Sequence, residues 1–271
     1  MEWLASRFGS RVTVLHVFEI PASWYGTSEA PLINPDGLQA FVAAEQQRLK
    51  DYRLELPEDR IQRIIAEGSP VWHITNWVKN HGVDVIMMGT RGLGKFRALL
   101  MGSVAAKVIH DIDCPVWTDC MRHFRVDGPQ RDYKKLVCAI DTTEEAVPVL
   151  RFADTLAREF DGKVHLIHSV PEAETRPNKY FDFDLHSYLM ESARVAISKL
   201  QREAGTQFPV NIKASVIPRA VSDIVSEQKA DLVIIGRGKI RESLGYLRTN
   251  AYQIIRDAPC PVLSCPPPPK G

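Results

Sequence analysis

No run of apolar residues in this chain approaches the roughly 20 needed to cross a bilayer. The first residues carry Glu2 where a secretory leader would place positive charge, so neither an anchor nor an export signal is read here. Charge of one sign is also missing. With 34 basic and 33 acidic side chains, the chain has no field that would call for nucleic acid or a membrane surface. The cluster Arg131-Asp132-Tyr133-Lys134-Lys135 is a solvated linker on this reading. Cysteine is scarce and odd in number, five in 271 residues, and no Cys-x-x-Cys pair occurs. That excludes a disulfide framework and points to reduced thiols and a cytoplasmic setting. His110, Cys114, Cys120 and His123 are ligand types close in sequence, but their spacing matches no zinc pattern, so no metal is expected. No serine or cysteine nucleophile stands at a recognisable spacing from a base and an orienting group, so an efficient enzyme is not expected either.

What the chain does contain is an internal echo, and a repeat decides architecture before any motif does. Leu4, Ala5, Phe8, Val12, Val14, Leu15 and His16 fall on Leu156, Ala157, Phe160, Val164, Leu166, Ile167 and His168 at one constant offset. Asp84-Val85-Ile86 falls on Asp231-Leu232-Val233, and Cys114-Pro115-Val116 on Cys260-Pro261-Val262. The length suits two domains of roughly 130 residues, divided as residues 1–126 and 127–271. The copies are unequal. The run Leu136-Val137-Cys138-Ala139-Ile140-Asp141 opens the second, and nothing in the first corresponds to Tyr133 through Phe152.

Strand-like runs alternate with amphipathic helical segments, the pattern of parallel α/β layers. In the second half the pattern predicts strands at 135–140, 164–169, 211–216, 231–235 and 262–264. Helices are predicted at 146–160, 184–204, 220–229 and 249–256. The first half predicts strands at 12–17, 61–66, 83–88 and 116–117, with helices at 36–54, 71–81 and 103–109. Residues 119–131 are the linker.

One motif carries chemistry. After Val85-Ile86-Met87-Met88 comes Gly89-Thr90-Arg91-Gly92, then nine residues, then Gly102-Ser103. Glycines at the carboxyl end of a buried strand let backbone approach a ligand, and a helix beginning at Ser103 would offer free amides to phosphate. The second half repeats the frame as Gly236-Arg237-Gly238 but reaches Arg248-Thr249 one residue early and without the late glycine. Arg237 and Arg248 are read as solvated side chains, with contact to an anion as the alternative. His16 and His168 are read as structural residues of equivalent strands. Gly89-x4-Gly94-Lys95 imitates a triphosphatase loop, but Phe96 stands where a magnesium-binding hydroxyl belongs.

These residues resemble the universal stress protein family in its tandem form: Gly-x2-Gly-x9-Gly-Ser after a strand, Leu15-His16-Val17 closing an early strand, and Cys-Pro-Val near each domain end. The resemblance implies five parallel strands per domain in the order 3-2-1-4-5, with helices on both faces. It also implies pairing of the two domains within the chain, with homodimers as a further form. It further implies ATP, with or without magnesium, as ligand. Main chain at Val17 would meet the adenine, and Met88, Gly89, Arg91 and Gly92 the ribose and first phosphates. Gly102, Ser103 and Val104 would hold the outer phosphates, and Asp141 would be the acidic contact of the second domain.

The expected function is a nucleotide-responsive regulatory or protective module. The alternatives are an interaction scaffold without nucleotide and a slow ATPase. The first domain lacks strand one, which in the implied order lies between strands two and four. Three answers stay open: an upstream start, direct pairing of strands two and four, or a segment from elsewhere in the slot. The last strands, near Val116 and Val262, are expected to pair their edges within or between chains.

Overall fold

The computed structural model describes residues 2–20, 35–90, 101–119, 132–172, 179–238 and 250–267. It comprises two compact units, Met1–Gly82 and Val83–Gly271. The division therefore falls inside the first sequence repeat.

The first unit contains α1 (Glu2–Arg7), β1 (Val12–Phe18), α2 (Pro35–Asp51), a 3-10 turn at Glu58–Arg60, β2 (Ile61–Glu67) and α3 (Pro70–His81). Both strands are rich in Val and Ile, and they pair in parallel from Val12↔Ile61 to Phe18↔Glu67. Helix α3 starts where the sequence signals it, with Ser69 capping the Trp72 amide and a proline in the first turn. It stops at Gly82, whose φ of 56° suits a left-handed cap. Buried Glu45 is held between His16 Nε2 at 2.6 Å and Arg48 Nη1 at 3.1 Å, which gives His16 the structural role expected of it.

The second unit contains β3 (Ile86–Gly89), α4 (Ser103–Asp111), β4 (Val116–Asp119), β5 (Lys135–Ala139), α5 (Ala146–Phe160) and β6 (Lys163–Val170). It continues with α6 (Lys179–Ala204), β7 (Val210–Ala214), α7 (Ile217–Gln228), β8 (Leu232–Gly236), α8 (Asn250–Asp257) and β9 (Val262–Cys265). Seven strands form one sheet in the order β3-β4-β9-β8-β5-β6-β7. Its last five members, read from the far end, give β7-β6-β5-β8-β9, the implied 3-2-1-4-5 order, all parallel. Central β5 and β8 are continuous apolar runs because helices cover both faces. Leu136, Val137, Cys138, Leu232, Val233 and Ile234 are all fully buried.

Helix α5 buries all seven apolar residues predicted to share one face, Ala146 through Phe160. Burying its larger members contributes about 1.5–3 kcal/mol each. Asp161 turns the chain with φ 49°, and Gly162 follows because a Cβ there would lie 2.7 Å from both Leu136 Cδ1 and the Tyr133 carbonyl oxygen. Helix α7 begins at Ile217, three residues earlier than predicted, since Pro218 is tolerated in a first turn.

The sheet is continued by an antiparallel pair, β4 with β9. Val116 faces Ser264, Trp117 faces Leu263 and Thr118 faces Val262. At the offset that lays Cys114 on Cys260, these are equivalent residues exchanged across a local two-fold axis through Trp117 and Leu263. The side chains obey it too: Thr118 Oγ1 donates to the Val262 carbonyl at 3.1 Å, and Ser264 Oγ to the Val116 carbonyl at 3.2 Å. The expected pairing of last strands thus occurs within the chain. In the first unit β1 and β2 form a two-stranded sheet, and in the second β3 belongs to the seven-stranded one. Among the described residues no helix is long and apolar enough to cross a membrane.

Candidate functional site

In an open parallel sheet, ligands bind beyond the carboxyl ends of the strands, where the crossovers change direction. In the second unit that point lies between β5, whose chain leaves toward β6, and β8, which arrives from β7 on the other side. A cavity of about 290 Å³ opens there, at the lower end of the range for small-molecule sites. Its walls are apolar, with Ile140, Val149, Ile217 and Ile254 among them, and its rim is polar, with Asp141, Glu145, His168 and Ser169.

Each polar group has a local reason for its place. Asp141 lies two residues past β5, and its Oδ1 accepts from the Thr143 amide at 3.0 Å and from Thr143 Oγ1 at 2.6 Å. This turn holds Asp141 in the cavity lining ahead of α5. His168 Nδ1 donates to the Ile140 carbonyl at 2.9 Å, so it stiffens the cavity floor as a structural residue. Gly238 has φ 42°, and a Cβ there would stand 3.5 Å from Glu145 Oε2, so backbone and carboxylate come close at the rim.

Arg237 corrects the sequence reading. It was expected to be solvated, yet it is 4% exposed. Its Nη1 donates to the carbonyls of Ile109 and, at 3.2 Å, Ile112, and its Nη2 to the carbonyl of Cys114. The first two carbonyls lie at the end of α4, where helical partners run out, so the guanidinium caps that helix. The signal was present in the register. At the offset of the neighbouring strands Arg237 falls on Thr90, one residue before Arg91, and successive strand residues point to opposite faces. Arg248 lies outside the described residues.

The remaining candidate residues occupy other places. Met88 and Gly89 end β3 opposite Thr118 and Asp119. Gly102 caps α4, its amide donating to the Thr90 carbonyl at 2.7 Å, and an added Cβ would lie 3.4 Å from that oxygen. Ser103 and Val104 open α4 with amides that have no intrahelical acceptor. These five therefore come together, while Arg91 and Gly92 lie outside the described residues. Val17 belongs to the first unit, in β1. Because β4 runs antiparallel to β9, the carboxyl ends of β3 and β4 leave the sheet at the edge opposite Asp141.

The thiols are not poised for chemistry. Burial pushes Cys265 up to about 12, against a smaller opposing effect of Arg237, and burial raises Cys138 and Cys114 as well. His110 is engaged with Asp111 at 2.7 Å, and Cys120 and His123 lie outside the described residues. Among the described residues no three His, Cys, Asp or Glu side chains gather as a metal site.

Comparison with known proteins agrees with this architecture. The profile of the universal stress protein family matches residues 1–118 and again 132–266. Universal stress protein G of Salmonella typhimurium is 30% identical over 139 residues, 97% of that protein and 48% of this chain. A universal stress protein of Thermus aquaticus is 29% identical over 113 residues, covering 79% of its length and 41% of this chain. Among solved structures, a universal stress protein from Archaeoglobus fulgidus superposes with a TM-score of 0.60 at 21% identity, covering 95% of this chain and 86% of that one. A functionally unknown protein from Pseudomonas aeruginosa gives 0.64 at 15%, covering 98% and 85%. The chain belongs to the universal stress protein family and carries two of its domains in tandem.

Proposed function

We propose that this chain is a regulatory or protective module that binds an adenine nucleotide, ATP in the first instance, in the cytoplasm and without efficient turnover. The observation that carries the reading is the cavity between the carboxyl ends of β5 and β8 with Asp141 on its rim. Its apolar walls suit a purine ring, and the Asp141 oxygen not held by Thr143 is an acceptor for ribose hydroxyls. Ser169 lies at the offset equivalent to Val17 and lines the same cavity, so its main chain is the contact for the adenine edge. Gly236 and Gly238 leave room for phosphate.

In the first repeat Met88, Gly89, Arg91 and Gly92 take the ribose and first phosphates, and Gly102, Ser103 and Val104 take the outer phosphates with the amides that open α4. Magnesium would accompany the phosphates and lower the charge facing Asp141 and Glu145.

Calorimetric titration with ATP and magnesium tests the reading. Saturable binding weakened by Asp141→Ala is expected from the second repeat, and by Gly102→Arg from the first. No heat in the parent chain overturns it. A scaffold without nucleotide is favoured by one observation: Asp141 and Glu145 share a rim whose neighbouring arginine, Arg237, is turned inward. A structure free of ligand after crystallisation with excess ATP would favour that reading.

A further inference from the structure

We infer that the cavity between β5 and β8, on the adenine reading on which this rests, selects against phosphate. Adenosine is its tightest natural ligand, AMP a weaker one and ATP the weakest.

The charges around the cavity set this ranking. Two carboxylates line it, Asp141 two residues past β5 and Glu145 at the N-cap of α5. Asp141 suits ribose hydroxyls, which a nucleoside offers as fully as a nucleotide does. Glu145 stands elsewhere. Gly238, two residues past β8, has φ 42°, and a Cβ built on it would lie 3.5 Å from Glu145 Oε2. The carboxylate is therefore close to bare main chain, and the space that this glycine leaves for a phosphate is bordered by a negative oxygen.

Three groups could offset that charge. Arg237 is the one arginine or lysine among the described residues that line the cavity, yet its guanidinium is held by the carbonyls of Ile109, Ile112 and Cys114. His168 is tied through Nδ1 to the Ile140 carbonyl at 2.9 Å. The start of α8 reaches the cavity at Asn250 and Ala251, and a helix N-terminus presents roughly half an elementary charge. Against two carboxylates that is too little, and the balance facing a phosphate stays negative.

The purine meets no such conflict. Ile140, Val149, Ile217 and Ile254 give it apolar walls whether or not phosphate follows. A cavity of about 290 Å³ also lies at the lower end of small-molecule sites, which favours a nucleoside over its triphosphate. Asp141 is exposed and Glu145 partly so, and screening by water and salt therefore limits the discrimination to about tenfold.

The test is calorimetric titration of the full chain without magnesium, using adenosine, AMP, ATP and 5′-amino-5′-deoxyadenosine, whose 5′ group is a cation. Heat that is lost in Asp141→Ala and kept in Gly102→Arg reports this cavity. There adenosine should bind about tenfold more tightly than ATP, with AMP between them and the amine at least as tight as adenosine. Glu145→Gln should cut the gap between adenosine and ATP about fivefold, and raising the salt from about 50 to about 500 mM should narrow it in the parent chain. ATP bound in this cavity as tightly as adenosine, or a gap that neither Glu145→Gln nor salt changes, overturns the inference and leaves the adenine reading standing. If ATP is the tighter ligand and Arg248→Ala reverses the order, the phosphates belong to Arg248 and the inference is likewise overturned. Absence of binding by all four compounds overturns the adenine reading together with it.

Discussion

Replacing Arg237 with methionine should lower the melting temperature by about 6–12 °C. The guanidinium is buried and serves three main-chain carbonyls, those of Ile109, Ile112 and Cys114. Leaving a buried polar group unsatisfied costs about 1–3 kcal/mol each, so three carbonyls set an upper range near 9. Against this, methionine no longer desolvates a charge, a saving of several kcal/mol. A net loss of about 3 kcal/mol in a unit of this size corresponds to about 2–4 °C per kcal/mol. Lysine, a point charge without the planar fork, should fall between parent and methionine because it cannot reach all three oxygens at once. Thermal unfolding followed by circular dichroism measures the shift. A drop below about 2 °C for methionine would refute the capping role. Unchanged melting with weakened ATP binding would restore the solvated, ligand-facing arginine that the sequence alone suggests.

Tyr252→Phe removes the hydroxyl that donates to the Ala106 carbonyl at 2.7 Å, and a loss of about 1 kcal/mol is expected by chemical denaturation. The double change Thr118→Val with Ser264→Ala deletes both hydroxyl bonds across the β4–β9 pair, and its cost should approach the sum of the single changes, because the two bonds do not share atoms. Cys114, Cys138, Cys260 and Cys265 are buried, so a thiol reagent at pH 8 should titrate them only after unfolding. The same burial makes stability pH-dependent. Cys265 holds its proton in the folded state up to about 12, whereas the unfolded thiol releases it near 9.0, so stability should be constant below pH 9 and fall between 9 and 12. Replacing Cys265 with alanine should lessen that fall, the buried thiols of Cys138 and Cys114 supplying the rest. Glu145→Gln removes a carboxylate from the cavity rim and should strengthen ATP binding about fivefold in calorimetric titration, the size of about 1 kcal/mol of relieved repulsion.

The parts of the fold that could be read in the sequence are those in which each element decides its own form. Helix α5 declares its buried face through apolar residues at helical spacing, and β5 and β8 declare burial on both sides through uninterrupted apolar runs. The β4–β9 pair could be foreseen because Cys-Pro-Val occurs twice, and a strand duplicated at two exposed edges has a ready partner in its own copy. Asp141 could be placed at a strand end because the run before it is unambiguous. The partition of the first repeat could not be read in this way, since it depends on which strands meet. Described strands β3 and β4 join β9, and β1 and β2 form a pair of their own.

Arg237 failed for a different reason. A glycine-flanked arginine after a strand suggests a loop in water, and composition cannot distinguish it from Arg91. Register can: one residue of offset turns the side chain to the interior, where carbonyls at the end of α4 and at Cys114 help to compensate its burial. At the equivalent position in the first repeat stands Thr90, whose side chain is too short to serve three carbonyls across that distance. The two-fold relation that β4 and β9 keep so closely is therefore broken at this position. The asymmetry should be testable by exchange. Thr90→Arg should destabilise the chain by placing a second charge where Thr90 is now 1% exposed, unless the end of α8 offers the matching carbonyls, in which case melting would be unchanged and the repeats would prove interchangeable here.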